Sequence, residues 1–252
     1  MEAGAESVTL DPDGALMRVS VLAAENADGG ALVAQAAGAA GLPVPAFSTA
    51  RLADEDWVRR SQSQFGPIRI SRALWIVPSW HEPPDAAAMS VRLDPGLAFG
   101  TGGHVSTRLV LIYLEQSLRS GQRVLDYGCG SGVLAIVAAK LGAAEVDAVD
   151  IDPQALAATA ANANINGVRV RCAAPDALPA GNYDLVLANI LAGPLIALQP
   201  LLAARARRGG RIALSGILET QAADVARAYA SDFDIAVAVT DEGWALLEGS
   251  RR

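Results

Sequence analysis

The strongest constraint on this chain is an apolar run that ends in three alternating glycines, Val124-Leu125-Asp126-Tyr127-Gly128-Cys129-Gly130-Ser131-Gly132. Glycine carries no Cβ, so the backbone can turn tightly here and let a ligand lie against Gly128 and Gly130. A helical pattern opens near Ser131, and the next apolar run closes on Val149-Asp150. Strand, glycine turn, helix, strand and acid in that order outline a βαβ nucleoside-binding unit. The helix amides point at the turn, and Asp150, 22 positions after Gly128 (150 − 128), is placed to accept both ribose hydroxyls. Charge-assisted bonds of that kind are worth about 1.5–3 kcal/mol each.

The pattern continues as β then α. Apolar runs at 123–127, 145–149, 168–172, 183–189 and 211–215 alternate with helical segments that start near Ser131, Pro153, Gly193 and Glu219. Such alternation predicts a mostly parallel sheet covered on both faces. Phe233 to Val239 and Trp244 to Glu248 follow, separated by Thr240-Asp241-Glu242-Gly243, and so short a turn predicts a terminal antiparallel hairpin. Upstream, a strand over Leu16 to Leu22, a helix over Gly30 to Ala40 and a helix over Ala53 to Gln64 with Trp57 and Arg60 on its face make a small α+β module. Ile68 to Val77 alternates as one strand. Pro78, Pro83 and Pro84 then mark a linker, which gives a small domain over 1–78 and a larger one over 79–252. Ser106 to Gln116 is helical, and before it Phe99-Gly100-Thr101-Gly102-Gly103-His104 is too rich in glycine for regular structure and free to lie close to a ligand.

The glycine spacing narrows the ligand. A dinucleotide fingerprint reads Gly-x-Gly-x-x-Gly and leaves room for a pyrophosphate. Here the glycines alternate, and Asp126 would oppose a pyrophosphate while suiting the amino-acid group of S-adenosylmethionine, which has a ribose and adenine but no phosphate. Asn189 comes at the carboxyl end of a predicted strand, where open α/β sheets bind their ligands. Its side-chain carbonyl can hold an amine and aim the nitrogen lone pair at a methyl group. Asp176, in the loop after the third strand of this repeat, is within reach of the adenine amine.

These residues, with several others, resemble the PrmA family, the methyltransferases of ribosomal protein L11. The resemblance runs from Trp57 to the C-terminus through Phe65-Gly66-Pro67-Ile68, Leu74-Trp75-Ile76-Val77-Pro78-Ser79-Trp80, Leu93-Asp94-Pro95-Gly96-Leu97-Ala98-Phe99-Gly100-Thr101-Gly102, Asp150-Ile151-Asp152-Pro153, Asn189-Ile190-Leu191-Ala192-Gly193-Pro194-Leu195 and Leu214-Ser215-Gly216-Ile217-Leu218. It implies a Rossmann-like class I methyltransferase, with a mostly parallel seven-stranded sheet ending in the hairpin and a small N-terminal α+β domain that docks the substrate. It also implies cofactor contacts from Thr107, Gly128, Asp150 and Asn189, with Phe99, Gly100 and Thr101 covering the methyl group. The acceptors would be lysine side chains, and an α-amine, of a basic protein of the large ribosomal subunit. His104 is the one histidine near these motifs and the candidate base. The chain departs from the family at Gly103 and Val105-Ser106, where Thr and Pro-Thr are usual, and its N-terminal domain is short.

Composition sets the outer bounds. A chain of 252 residues that is 52% hydrophobic can bury the core of one full domain and a smaller one. No apolar stretch reaches membrane-spanning length, and the start lacks the regions of a signal peptide, so a cytoplasmic location is expected; a monomer is expected as well. Cys129 and Cys172 are read as buried thiols, and no metal motif is present. The net charge of −7, with Lys140 the only lysine, suits a basic partner and disfavours direct nucleic-acid binding. Two other functions remain open: a class I methyltransferase for another protein lysine or a small amine, and a nicotinamide-dependent oxidoreductase on the same sheet.

Overall fold

The structure, a computed structural model, describes residues 5–13, 16–24, 27–50, 65–94, 102–178 and 182–252. The helix expected over 53–64, with Trp57, lies outside the described residues, as do Phe99, Gly100 and Thr101. The chain divides into two compact units, Met1–Ser61 and Gln62–Arg252. In the smaller unit β1 (Ala5–Asp13) pairs antiparallel with β2 (Leu16–Ala23). The sequence pattern points to the second of these strands and not to the first. Helix α1 (Gly29–Ala40) starts where Asp28 Oδ1 accepts the amides of Gly30 and Ala31, and ends at Gly41 with φ 65°.

In the larger unit the stretch over Ile68 to Val77 is not one strand. It is β3 (Ile68–Arg69) and β4 (Leu74–Val77), an antiparallel pair folded at Ser71, whose hydroxyl accepts the Ala73 N–H. β5 (Met89–Arg92) adds parallel to β4. These strands belong with the large unit although they precede or flank the prolines that mark the linker. Ile70, Leu74, Ile76 and Val91 are buried in the same apolar cluster as helix α2 (Val105–Ser117) and helix α3 (Val133–Lys140).

The main sheet has seven strands. They are β6 (Arg123–Tyr127), β7 (Glu145–Val149), β8 (Arg171–Ala173), β9 (Tyr183–Asn189), β10 (Ala206–Leu218), β11 (Phe233–Asp241) and β12 (Trp244–Arg251). Their order across the sheet is β11-β12-β10-β9-β6-β7-β8, and β12 runs antiparallel to both of its neighbours. The sheet is therefore parallel and closed by a hairpin, as the sequence pattern predicts. Helix α4 (Pro153–Ile165) follows β7, α5 (Ala192–Ala197) and α6 (Gln199–Arg205) follow β9, and a 3-10 turn at Glu219–Gln221 leads into α7 (Ala222–Tyr229). Among the described residues no helix is long and apolar enough to cross a membrane.

Strand side chains alternate between two apolar layers, as a pleated strand requires. Val124, Leu185, Leu187, Ala213 and Leu246 face one layer with α2, α3 and Ala163 of α4. Leu125, Val186, Ala188, Leu214 and Leu247 face the other, with Leu195, Leu202 and Val225 from α5, α6 and α7. β8 begins at Arg171, not at Val168, because Gly167 (φ 64°) ends α4 and the Val168 N–H returns to the Ala163 carbonyl to satisfy the helix end.

One side chain joins the small sheet to this frame. Asn166 Oδ1 accepts the Arg92 N–H at 2.8 Å, while its Nδ2 donates to the carbonyls of Arg92 at 2.7 Å and Asn162 at 2.8 Å. Replacing Asn166 by Ala should lower the unfolding free energy by about 2 kcal/mol, since polar backbone groups lose partners in a half-buried position. A urea titration would register this as a lower midpoint at constant slope. An unmoved midpoint would mean that water substitutes fully for the amide.

Candidate active site

The glycine turn sits at the carboxyl ends of β6 and β7. Gly128 (φ 81°), Gly130 (φ 54°) and Gly132 (φ 79°) all adopt the left-handed conformation, which explains three glycines in five residues. The turn is braced from below. The amides of Gly128 and Cys129 donate to the Val149 carbonyl at 2.7 and 3.0 Å, and the Gly130 amide donates to Asp150 Oδ2 at 3.0 Å. Asp150 Oδ1 accepts the Asp152 amide at 3.0 Å. The half-buried Asp150 carboxylate thus links the turn to the start of α4 and retains lone pairs for the two hydroxyls of a ribose. Asp176 is exposed in the turn after β8.

Asp126 plays a part beyond the one its sequence position suggests. It is fully buried in β6, and its Oδ2 accepts the Ala135 amide in the first turn of α3 at 3.1 Å. The cap position of α3 is Gly132, which has no side chain to do this. Asp126 therefore lies beneath the turn and holds the helix that opens from it. Burial pushes its carboxyl up to about 7, with the Ala135 amide opposing and the Asp150 charge adding to the rise. Its Oδ1 has no partner among the described residues.

Asn189 ends β9. Its Nδ2 donates to Thr107 Oγ1 at 3.1 Å, and its Oδ1 is buried without a partner among the described residues. Thr107 is itself buried in the first turn of α2, so Asn189 and Thr107 are brought together from positions 82 apart in sequence. Ser215 Oγ lies within donating distance of the carbonyls of Ser106 at 3.2 Å and Ala245 at 3.1 Å, between which its single proton is shared, and this ties that turn of α2 to β10 and β12. His104 is the N-cap of α2. Its Nδ1 accepts the Ser106 amide at 3.2 Å and lies 2.8 Å from Ser106 Oγ, and its ring meets Trp244 edge-on at 4.5 Å. In this arrangement the Nδ1 lone pair is engaged in capping α2. Gly102 (φ 87°) packs on Ile76, where a Cβ would come within 2.8 Å.

Two residues that sequence reasoning misses hold this arrangement. Gly216 (φ 79°) lets β10 pass so close to the end of β9 that a Cβ would sit 2.5 Å from the Ile190 carbonyl oxygen. A Cβ on Gly128 would overlap Ile190 Cγ2 from the other side. Thr159 of α4 is fully buried and donates to the Gly130 carbonyl at 3.0 Å, with Cys129 Sγ at 3.3 Å. Its methyl occupies the space that a Cβ on Gly132 would need. A Thr at helical spacing carries no signal of its own, and only the fold shows that it faces the turn.

The sequence that builds this site matches a known family over nearly its whole length. The profile of the ribosomal protein L11 methyltransferase family (PrmA) covers residues 4–252. The chain belongs to that family. It is 52% identical over 236 residues to a ribosomal protein L11 methyltransferase from Laribacter hongkongensis, covering 93% of this chain and 80% of the relative. It is 53% identical over 235 residues to that of Chromobacterium violaceum, covering 93% and 79%. The crystal structure of a ribosomal protein L11 methylase from Lactobacillus delbrueckii superposes with a TM-score of 0.68 at 36% identity, covering 75% of this chain and 100% of that one. A Thermus thermophilus 16S rRNA methyltransferase solved with AdoMet and guanosine shares the fold at 18% identity and a TM-score of 0.57, covering 100% of this chain and 60% of that one. The family match leaves no place for a nicotinamide-dependent oxidoreductase.

Thr159→Val keeps the shape of the side chain but removes the bond to Gly130, and should weaken binding of S-adenosylmethionine three- to tenfold, about 1 kcal/mol. Titration calorimetry that finds wild-type affinity would remove Thr159 from the support of the turn. For Asp126, the folded carboxyl lies above its unfolded value of 3.8. The native state therefore holds a proton that the unfolded chain releases, and this stabilising term is complete below about pH 4 and lost as pH rises through about 7. Asp126→Asn lacks the term, so its stability relative to wild type should rise between about pH 4 and pH 7 in denaturant titrations. A constant difference would contradict the burial argument.

Proposed function

We propose that this protein transfers methyl groups from S-adenosylmethionine to amine nitrogens of ribosomal protein L11, on lysine side chains and on the α-amine where it reaches the same site. The observation that carries the reading is Asn189. Its amide nitrogen is committed to Thr107, which leaves its unpartnered carbonyl oxygen to accept a hydrogen bond from an incoming amine. The residues fit the cofactor. Asp150 has the lone pairs for a ribose, and Gly128 and Gly130 keep the turn free of side chains. When bound, the cofactor supplies an electrophilic methyl group on a positively charged sulfur.

A lysine amine has an ordinary pKa near 10.4, so presenting it neutral at pH 7 costs about 4.6 kcal/mol. Loss of water, and the adjacent positive charge, lower that cost by disfavouring the ammonium form. Asn189 then orients the neutral nitrogen. Transfer would leave the substrate nitrogen as an N-methylammonium and the cofactor as a neutral thioether, so the positive charge passes from sulfur to nitrogen. His104 holds α2 in place, and through it Thr107, and takes no proton in this scheme. The terminal hairpin beside His104 carries acids that suit a cationic substrate. Glu219, exposed just past β10, donates its amide to the Gly243 carbonyl of the hairpin turn at 2.9 Å. Asp241 and Glu242 in the same hairpin share one cation, Arg108, at 2.6 and 3.3 Å. We assign substrate docking to the N-terminal unit, and the setting to the cytoplasm, with the enzyme acting as a monomer.

Labelled S-adenosylmethionine incubated with the protein and ribosomal protein L11 should label L11, and mass spectrometry should place the methyl groups on amines. Asn189→Ala should lower kcat by about 100-fold through lost positioning. Labelling confined to other proteins or to small amines would overturn the substrate, and an undiminished kcat would overturn the role of Asn189.

A further inference from the structure

At the end of the sheet away from the cofactor turn, where the parallel strands begin, lies a second constellation. Asp184 stands five residues before Asn189 on β9 (189 − 184), which at about 3.3 Å per residue puts the two about 17 Å apart. Here a cavity of about 230 Å³ is lined by Arg119, Arg207, Arg211, Asp184, Gln122 and Ser250. Three guanidinium groups face Asp184, and with Glu248, 3.7 Å from Arg211, counted as well the local balance is +1 (3 − 2), in a chain whose net charge is −7.

The bulge within β10 builds the convergence. Arg205-Ala206-Arg207-Arg208-Gly209-Gly210-Arg211 places four arginines in seven residues. Gly209 takes φ 68°, and a Cβ on Gly210 would lie 2.8 Å from the Arg207 carbonyl oxygen and 2.9 Å from that of Tyr183. Glycine lets the strand bulge there, between Ala206 opposite Tyr183 and Arg211 opposite Leu185, so Arg207 and Arg211 arrive at one mouth.

Two of the three cations are held in place from behind. Arg207 Nε donates to Asp184 Oδ1 at 2.6 Å, and Asp184 Oδ2 is occupied by the Arg123 amide at 2.8 Å. Arg211 Nη2 donates to the Ser117 carbonyl at 2.6 Å, and its guanidinium lies 5.8 Å from the Tyr113 ring, with Glu248 at 3.7 Å. Arg119 is different. Its backbone amide donates to Gln122 Oε1 at 2.9 Å, but among the described residues its exposed guanidinium has no ion pair. Arg207 Nη1 also donates to the Arg208 carbonyl at 3.0 Å, so two guanidinium groups held on one side by protein acceptors, with a third, uncommitted one beside them, offer their remaining N–H donors to the several oxygens of a phosphate.

We propose that this cavity is an oxyanion site that takes a phosphate group, from an RNA backbone or from free phosphate. The overall acidity of the chain opposes non-specific nucleic-acid binding, but the sign is reversed locally. The site is independent of methyl transfer, since none of its residues lines the cradle.

The test uses the whole protein with two probes: fluorescence anisotropy with a short labelled single-stranded RNA, and titration calorimetry with inorganic phosphate. For RNA, three arginine contacts predict a slope of log K against log salt of about −2, from about −0.7 per phosphate on single strands. Arg119→Glu should weaken the bound probe at least tenfold, while Arg72→Glu, the same charge change at an exposed arginine outside the cavity, should not. Retained affinity of Arg119→Glu for S-adenosylmethionine shows that the variant is folded, and Arg119→Ala repeats the measurement with a smaller change. RNA binding with this slope assigns a strand, and phosphate binding without RNA assigns a small-anion site. Binding of neither probe by the wild type, or an equal loss in Arg72→Glu, overturns the proposal.

Discussion

The arrangement depends on how closely three strand ends can approach one another. Asn189 and Ile190 leave β9 between Gly128, at the end of β6, and Gly216, in the bulge of β10. Any side chain at either glycine would overlap Ile190, on its side chain from one direction and on its backbone from the other. Steric exclusion of this kind is steep, because packed interiors have no spare volume. It fixes Asn189 more firmly than its one hydrogen bond to Thr107 could. The amide that would hold the substrate is therefore placed by two glycines whose contribution is the space they leave.

The polar network serves the same end from the other side of the turn. Asp126, Asp150 and Thr159 each accept from or donate to backbone groups of the turn or of the helix that leaves it. An irregular loop beside a ligand cannot satisfy its own backbone, and buried backbone groups without partners are costly. Here side chains from β6, the end of β7 and α4 supply the partners, so the turn is braced without a ligand. Preorganisation of this kind lowers the cost of binding. The fully buried Asp126 is the expensive member, and its raised pKa expresses that cost.

Much of the fold is legible in the sequence. Arg123 to Tyr127, Glu145 to Val149 and Tyr183 to Asn189 have the same bounds in sequence and structure because each is an apolar run flanked by turn residues, and a buried parallel strand leaves that trace. The strand near Val168 begins late because the end of α4 claims the Val168 amide, a local competition that periodicity does not register. Ile68 to Val77 reads as one strand since its alternation continues through the fold at Ser71. For the site, Asp150 and Asn189 stand out by their position at strand ends. Asp126 reads as a ligand group, whereas its bonded partner in the structure is a helix amide. His104 reads as a candidate base, and the structure shows it as the cap of α2.

By itself the sequence determined the order of elements, the cradle and the identity of the group at the end of β9, because those follow from periodicity, glycine spacing and local turn chemistry. Only the tertiary structure decided that Thr107 orients Asn189, that Gly216 and Gly128 enclose Ile190, and that Arg119, Arg207 and Arg211 converge on one cavity. Each of these joins residues far apart in the chain. Contact between them is set by strand order and register, which no local pattern encodes.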